Sequence, residues 1–140
     1  MLTPNALGPS GPDWSPDGRR IAFTGANGAI YVINSGGSGL RKVVAPKSRT
    51  NTPGERNVRW SPDGKNLLFN SFRGAWTVNA TGGRLARLVS SAGIVESAAW
   101  SPDGKEIAYA TSGGIHILNL ATRRSRSLSQ RPLGAVALDW

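Results

Sequence analysis

Three carboxylates of this chain recur in one setting. Asp17, Asp63 and Asp103 are each the fourth residue of a Trp-Ser-Pro-Asp-Gly run, at 14–18, 60–64 and 100–104. Converging carboxylates would hold a calcium ion, but one aspartate per repeat leaves them on separate turns. The neighbouring residue types point to turn chemistry instead. Proline presets φ, aspartate bonds to nearby backbone N–H groups, and glycine accepts a positive φ. Asp13 and Asp139 stand apart, because each directly precedes a tryptophan. His116 is the single histidine and cysteine is absent. Thiolate catalysis, disulfides and cysteine zinc sites are therefore excluded. A nucleophilic triad or histidine metal site has no second partner. Counted from the tryptophans, His116 aligns with Ile30 and Trp76, which suggests packing. Gly28, Gly74 and Gly114 recur before apolar runs and suit hairpins; no phosphate-binding fingerprint is present. The expectation is a protein without enzymatic activity, metal or cofactor.

The elements that position these residues are repeats. Trp14, Trp60, Trp100 and Trp140 are spaced by 46, 40 and 40 residues, a period typical of repeat architectures. Positions seven to nine after each tryptophan read Ile21-Ala22-Phe23, Leu67-Leu68-Phe69 and Ile107-Ala108-Tyr109. The six extra residues of the first period are placed in the polar run 45–56. Each period holds four short runs rich in β-branched and aromatic residues, bounded by turn residues. In the first they are Pro12–Trp14, Arg20–Thr24, Ala29–Ile33 and Leu40–Val44. No run has sustained helical periodicity. Hairpin-short links force antiparallel neighbours. A four-stranded meander repeated at this period is a β-propeller blade.

The Trp-Ser-Pro-Asp-Gly turn followed by Lys or Arg and then Ile-Ala-Phe/Tyr resembles the TolB-like, WD40-related (PD40) propeller repeats. Residues 14–23, 60–69 and 100–109 carry the resemblance. It implies an all-β fold in which the tryptophan strand is innermost and the fourth strand outermost. Residues 1–140 then form a single partial propeller domain. Blade one spans 12–44, blade two 57–89 and blade three 96–128, with an extra inner strand at 135–140. Trp14, Asp17, Gly18, Trp60, Asp63, Gly64, Trp100, Asp103, Gly104 and Trp140 define the blades structurally.

Three blades do not close a ring, since closed propellers have about four to eight. The terminal blades are expected to leave apolar faces uncovered. The resulting expectation is a half-ring that pairs with a second copy into a six-bladed ring and serves protein–protein interaction. The alternative is a segment of a TolB-type protein or a larger hydrolase or peptidase, in which the ring gates or positions substrate. Gly134–Trp140 is a better strand than Pro9–Trp14, and an exchange of it between copies is expected.

The charge balance, 17 Lys and Arg against 8 Asp and Glu, permits contact with nucleic acid, anionic lipid or an acidic protein and requires none of them. Arg41, Lys42, Arg84, Arg87, Arg123, Arg124 and Arg126 fall on or just before outermost strands, where charge protects sheet edges. Nucleic acid is the weaker expectation, for want of aromatic platforms beside the charge. The loops at one end of the channel, with Arg49, Arg56, Phe72, Arg73 and His116, form the candidate binding face. No apolar run is long enough to span a membrane. Met1–Ser10 lacks a basic segment followed by an apolar one, so the expected setting is the cytoplasm, or a periplasmic protein of which this is an excised segment.

Overall fold

The computed structural model describes residues 7–45, 56–71, 74–90 and 94–128, with the backbone alone for Arg56, Ser71 and Ser90. The extra strand 135–140, with Asp139 and Trp140, lies outside them. Three four-stranded antiparallel sheets follow one another along the chain. The first contains β1 (Ser10–Trp14), β2 (Arg20–Thr24), β3 (Ile30–Asn34) and β4 (Arg41–Val44). The second contains β5 (Arg56–Trp60), β6 (Asn66–Ser71), β7 (Gly74–Asn79) and β8 (Ala86–Ser90). The third contains β9 (Val95–Trp100), β10 (Glu106–Thr111), β11 (Gly114–Asn119) and β12 (Ser125–Ser127). Strand order within each sheet is sequential, the meander of a propeller blade. Among the described residues no helix is long and apolar enough to cross a membrane.

The Pro- and Gly-rich first strand does pair, but irregularly: its register with β2 shifts between Ser10 and Asp13. A matching shift in β5 lies between Arg56 and Arg59. Gly11 and Asn57, each three residues before its tryptophan, have φ of 56° and 54°. Glycine and asparagine are the residues that enter this left-handed region most readily.

Alternation along the strands gives each blade two apolar faces. Ala22, Ile30, Val32 and Val44 of blade one pack against Val58, Trp60, Leu67, Phe69 and Val78 of blade two. Leu68, Ala75 and Val89 of blade two meet Val95, Ile107, Tyr109 and Leu118 of blade three. The outer faces of the terminal blades depart from the sequence expectation. On blade one, Phe23 and Ile33 are 2% and 1% exposed, in a cluster that includes Leu7. On blade three, Ala108, Ala110 and Ile117 are buried too. Uncovered apolar faces are thus not a property of these strands.

Pairing also corrects the repeat alignment. Phe23 faces Tyr31, Phe69 faces Trp76 and Tyr109 faces His116. The counterpart of His116 in blade one is therefore Tyr31, not Ile30. The link between β2 and β3 is one residue longer than its counterparts, so one of the six extra residues lies there. The offsets of Asn34, Asn79 and Asn119, at 20, 19 and 19 residues from their tryptophans, already carried this shift.

Candidate functional site

The Ser-Pro-Asp-Gly turns are built alike in all three blades. In the first, Ser15 Oγ donates to Asp17 Oδ1 at 2.5 Å, and the same carboxylate oxygen accepts from Arg19 N at 3.0 Å. Ser15 Oγ accepts from Arg20 N at 2.9 Å. The corresponding serine–aspartate bonds are 2.6 Å for Ser61–Asp63 and 2.7 Å for Ser101–Asp103. Gly18, Gly64 and Gly104 have φ of 67°, 69° and 69°, which an L side chain adopts only with strain. The serine hydroxyl first, and the backbone N–H second, hold each aspartate below its ordinary pKa, because both bonds favour the ionised form. Each carboxylate is consumed by its own turn. Among the described residues no three His, Cys, Asp or Glu side chains gather to hold a metal ion.

Successive turns touch across the seams between blades. A Cβ on Gly64 would stand 3.7 Å from the ring of Pro16, and one on Gly104 would stand 3.7 Å from the ring of Pro62. The proline of one motif thus lies against the glycine of the next. At Gly18 a Cβ would meet nothing within 4 Å. The tryptophans follow the same order. Trp60 is 6% exposed and Trp100 is half-buried, whereas Trp14 is 57% exposed.

The first seam carries a set of polar contacts that the repeat pattern alone did not disclose. Trp60 N donates to Asp13 Oδ2 at 2.8 Å, and Trp60 Nε1 donates to the Asp13 carbonyl at 3.1 Å. Arg59 lies 3.6 Å from the Asp13 carboxylate. The Arg20 guanidinium sits 4.6 Å from the Trp60 ring centroid and donates to Gly64 O at 3.2 Å. Arg41 donates to Ala80 O at 2.9 Å. At the second seam Asn70 Nδ2 donates to the carbonyls of Val95 and Glu96 at 2.9 and 3.1 Å. There the indole Nε1 of Trp100 is buried without a partner. Asp13, Arg59, Trp60 and Trp100 line one open cavity of about 260 Å³ at the inner strands.

The candidate binding face is only partly described. Arg49, Phe72 and Arg73 lie outside the described residues, and Arg56 opens β5. His116 is not an end-loop residue. It is half-buried within β11, stacked on Tyr109 with centroids 5.0 Å apart, and its Nε2 is 3.4 Å from Thr111 Oγ1. Its counterparts, Tyr31 stacked on Phe23 at 5.5 Å and Trp76 beneath Arg87 at 5.4 Å, give the position an aromatic packing role.

A family model described as the TolB beta propeller domain matches residues 6–135. No curated protein matches the chain in sequence. Among solved structures, TolB from Acinetobacter baumannii is 27% identical with a TM-score of 0.70, over 92% of this chain and 34% of that one. A putative TolB from Agrobacterium tumefaciens is 19% identical with a TM-score of 0.68, over 91% and 48%. A nidogen/laminin complex is 19% identical with a TM-score of 0.76, over 99% and 55%. The chain spans about half or less of the length of these structures.

Proposed function

Because this chain belongs to the TolB beta propeller domain family, we propose that it is a non-enzymatic scaffold for protein–protein interaction whose ring is completed by a second copy. The reading rests on the inner corner of blade one at Trp14 and Gly18, which is exposed although the outer face behind it is buried. Trp60 and Trp100 each pack against the blade before them, and Gly64 and Gly104 each receive a proline from it. Among the described residues, Trp14 and Gly18 have no such neighbour, and Pro102 of blade three has no following glycine. A second copy placing its Pro102 against Gly18 would repeat the existing seam. Covering an indole in this way contributes roughly 1.5–3 kcal/mol. Two copies of three sheets would give six blades, within the usual range of about four to eight. Light scattering at micromolar concentration tests it. Twice the 14.7 kDa chain mass is expected, falling to the single mass when Trp14 is replaced by Glu. A wild-type monomer overturns the reading.

A second reading has its own support. The chain matches only 34–55% of the length of the similar structures, which favours a propeller whose remaining blades belong to the same longer polypeptide. Such a ring would serve a TolB-type protein, or gate substrate in a larger hydrolase. A monomeric chain in light scattering selects this reading over self-assembly.

A further inference from the structure

The two seams treat one pair of N–H donors differently. Strand register at this point is the same in all three blades: Trp14 faces Ile21, Trp60 faces Leu67 and Trp100 faces Ile107. The backbone N–H of Trp60 points away from its own sheet and donates to Asp13 Oδ2 at 2.8 Å, while its indole Nε1 donates to the Asp13 carbonyl at 3.1 Å. The matching N–H of Trp100 points toward blade two, where Arg59 stands in the place of Asp13. A guanidinium has donors and no acceptor. The Trp100 N–H therefore gains no carboxylate from blade two, and the Trp100 indole Nε1 is buried without a partner. Arg59 turns back onto blade one instead, with its guanidinium 3.6 Å from the Asp13 carboxylate. The cavity of about 260 Å³ lies beside the second seam, lined by Arg59, Pro62, Ala99, Trp100 and Pro102 together with Asp13.

We propose that this cavity binds a small carboxylic acid with a flat apolar body, its carboxylate taking the position that the Asp13 carboxylate holds one blade earlier. The carboxylate accepts from Trp100 N and from the Arg59 guanidinium. The 3.6 Å approach of Arg59 to Asp13 is longer than a charge-assisted hydrogen bond of about 2.7–2.9 Å, so its fork has donors to offer. Asp13 and Arg59 cancel in charge, so the choice of ligand rests on directed donors and not on excess positive charge. The indole of Trp100 and the rings of Pro62 and Pro102 supply walls for the apolar body. The volume lies just under the roughly 300–1,000 Å³ of drug-sized sites, which suits an acid of benzoate size. The proposal goes beyond the scaffold reading and stands whether or not a second copy closes the ring.

Titration of the isotope-labelled chain with sodium benzoate at constant ionic strength, followed by two-dimensional amide NMR, tests it. The Trp100 indole signal is assigned by its loss in Trp100→Phe. The indole and backbone signals of Trp100 should both shift saturably. Benzamide, which keeps the shape and loses the charge, should bind the wild-type chain roughly tenfold more weakly than benzoate. Benzoate should bind Arg59→Gln more weakly by a similar factor. Arg59→Asp restores the carboxylate of the first seam and should abolish the benzoate shift at Trp100. Equal binding of benzamide and benzoate, an unchanged affinity in Arg59→Gln, or no shift at Trp100 overturns the proposal. A shift of Trp100 by sulfate as large as that by benzoate would mean attraction of any anion and overturns it as well. The benzamide and sulfate comparisons use the wild-type chain, so misfolding of a variant does not hide the result.

Discussion

At the first seam Asp13, Arg20 and Arg41 reach from blade one onto Trp60, Gly64 and Ala80. The residues in the same places of blade two are Arg59, Asn66 and Ala86, and the second seam is held instead by Asn70 on two backbone carbonyls. The apolar faces differ less, because both bury aliphatic side chains around aromatic residues. The repeat therefore specifies that blades stack, and a few non-repeating residues specify which blade stacks on which. Ring order in a propeller of near-identical slices requires such labels, since apolar contact alone accepts any neighbour.

The largest effect separates the tryptophans. Trp60→Ala should cost about 3–5 kcal/mol, the range for emptying a buried aromatic site. Trp14→Ala in the isolated chain should cost less than about 1 kcal/mol, since its ring is mostly exposed already. Urea unfolding of both variants measures the difference, and equal losses would refute the idea that the inner corner of blade one at Trp14 is open. The next effect separates the seams. Asn70→Ala leaves two carbonyls without their donor and should cost about 2–3 kcal/mol. Asp13→Ala strips the Trp60 backbone N–H of its acceptor and should cost about 1–2 kcal/mol. Smaller still is Arg20→Ala, at roughly 1 kcal/mol for a lost cation–π contact and one hydrogen bond. Salt sharpens the contrast. The Asp13 and Arg20 losses should shrink in concentrated sodium chloride, and the Asn70 loss should not. Salt-independent losses at all three would remove the distinction between a charged and an uncharged seam.

How far this was legible in the sequence follows from where each partner lies. The Ser-Pro-Asp-Gly turns close over at most five residues, so residue types alone disclosed their geometry. The strand runs were equally local, and Arg20–Thr24 has the expected bounds. Asp13 and Trp60 are separated by 47 positions, and reading the chain as a repeat averages away what is particular to each blade. Fixed offsets matched His116 to Ile30, because one inserted residue between β2 and β3 shifts everything after it. The burial of Phe23, Ile33 and Ile117 depends on what covers a face, which strand alternation does not record. The placing of the cations was half visible. The cations were assigned to outer strands, but the sharing of one end by two sets of turns emerges only from backbone bonds such as Ser35 N to Arg19 O.

The smallest expected effect is the one that should ignore the seams. Asp17, Asp63 and Asp103 accept the same bonds in the same turns, so acid should act on the blades evenly. Each carboxyl is held below its ordinary value of 3.8. The unfolded chain therefore takes up these protons first as pH falls. The stabilisation is complete above about pH 3.8 and disappears as pH drops through the lower values of the folded turns. Replacing any one aspartate with Asn removes one such ionisation while retaining an acceptor for the serine hydroxyl and the backbone N–H. Stability measured from neutral pH down to strongly acidic solution should then fall less steeply, and by the same small amount for all three variants. A steep change for Asp63→Asn alone would place that turn under the control of the seams on either side. An even response would show that the turns act within their own blades, and that only seam residues such as Asp13 and Asn70 distinguish one blade from the next.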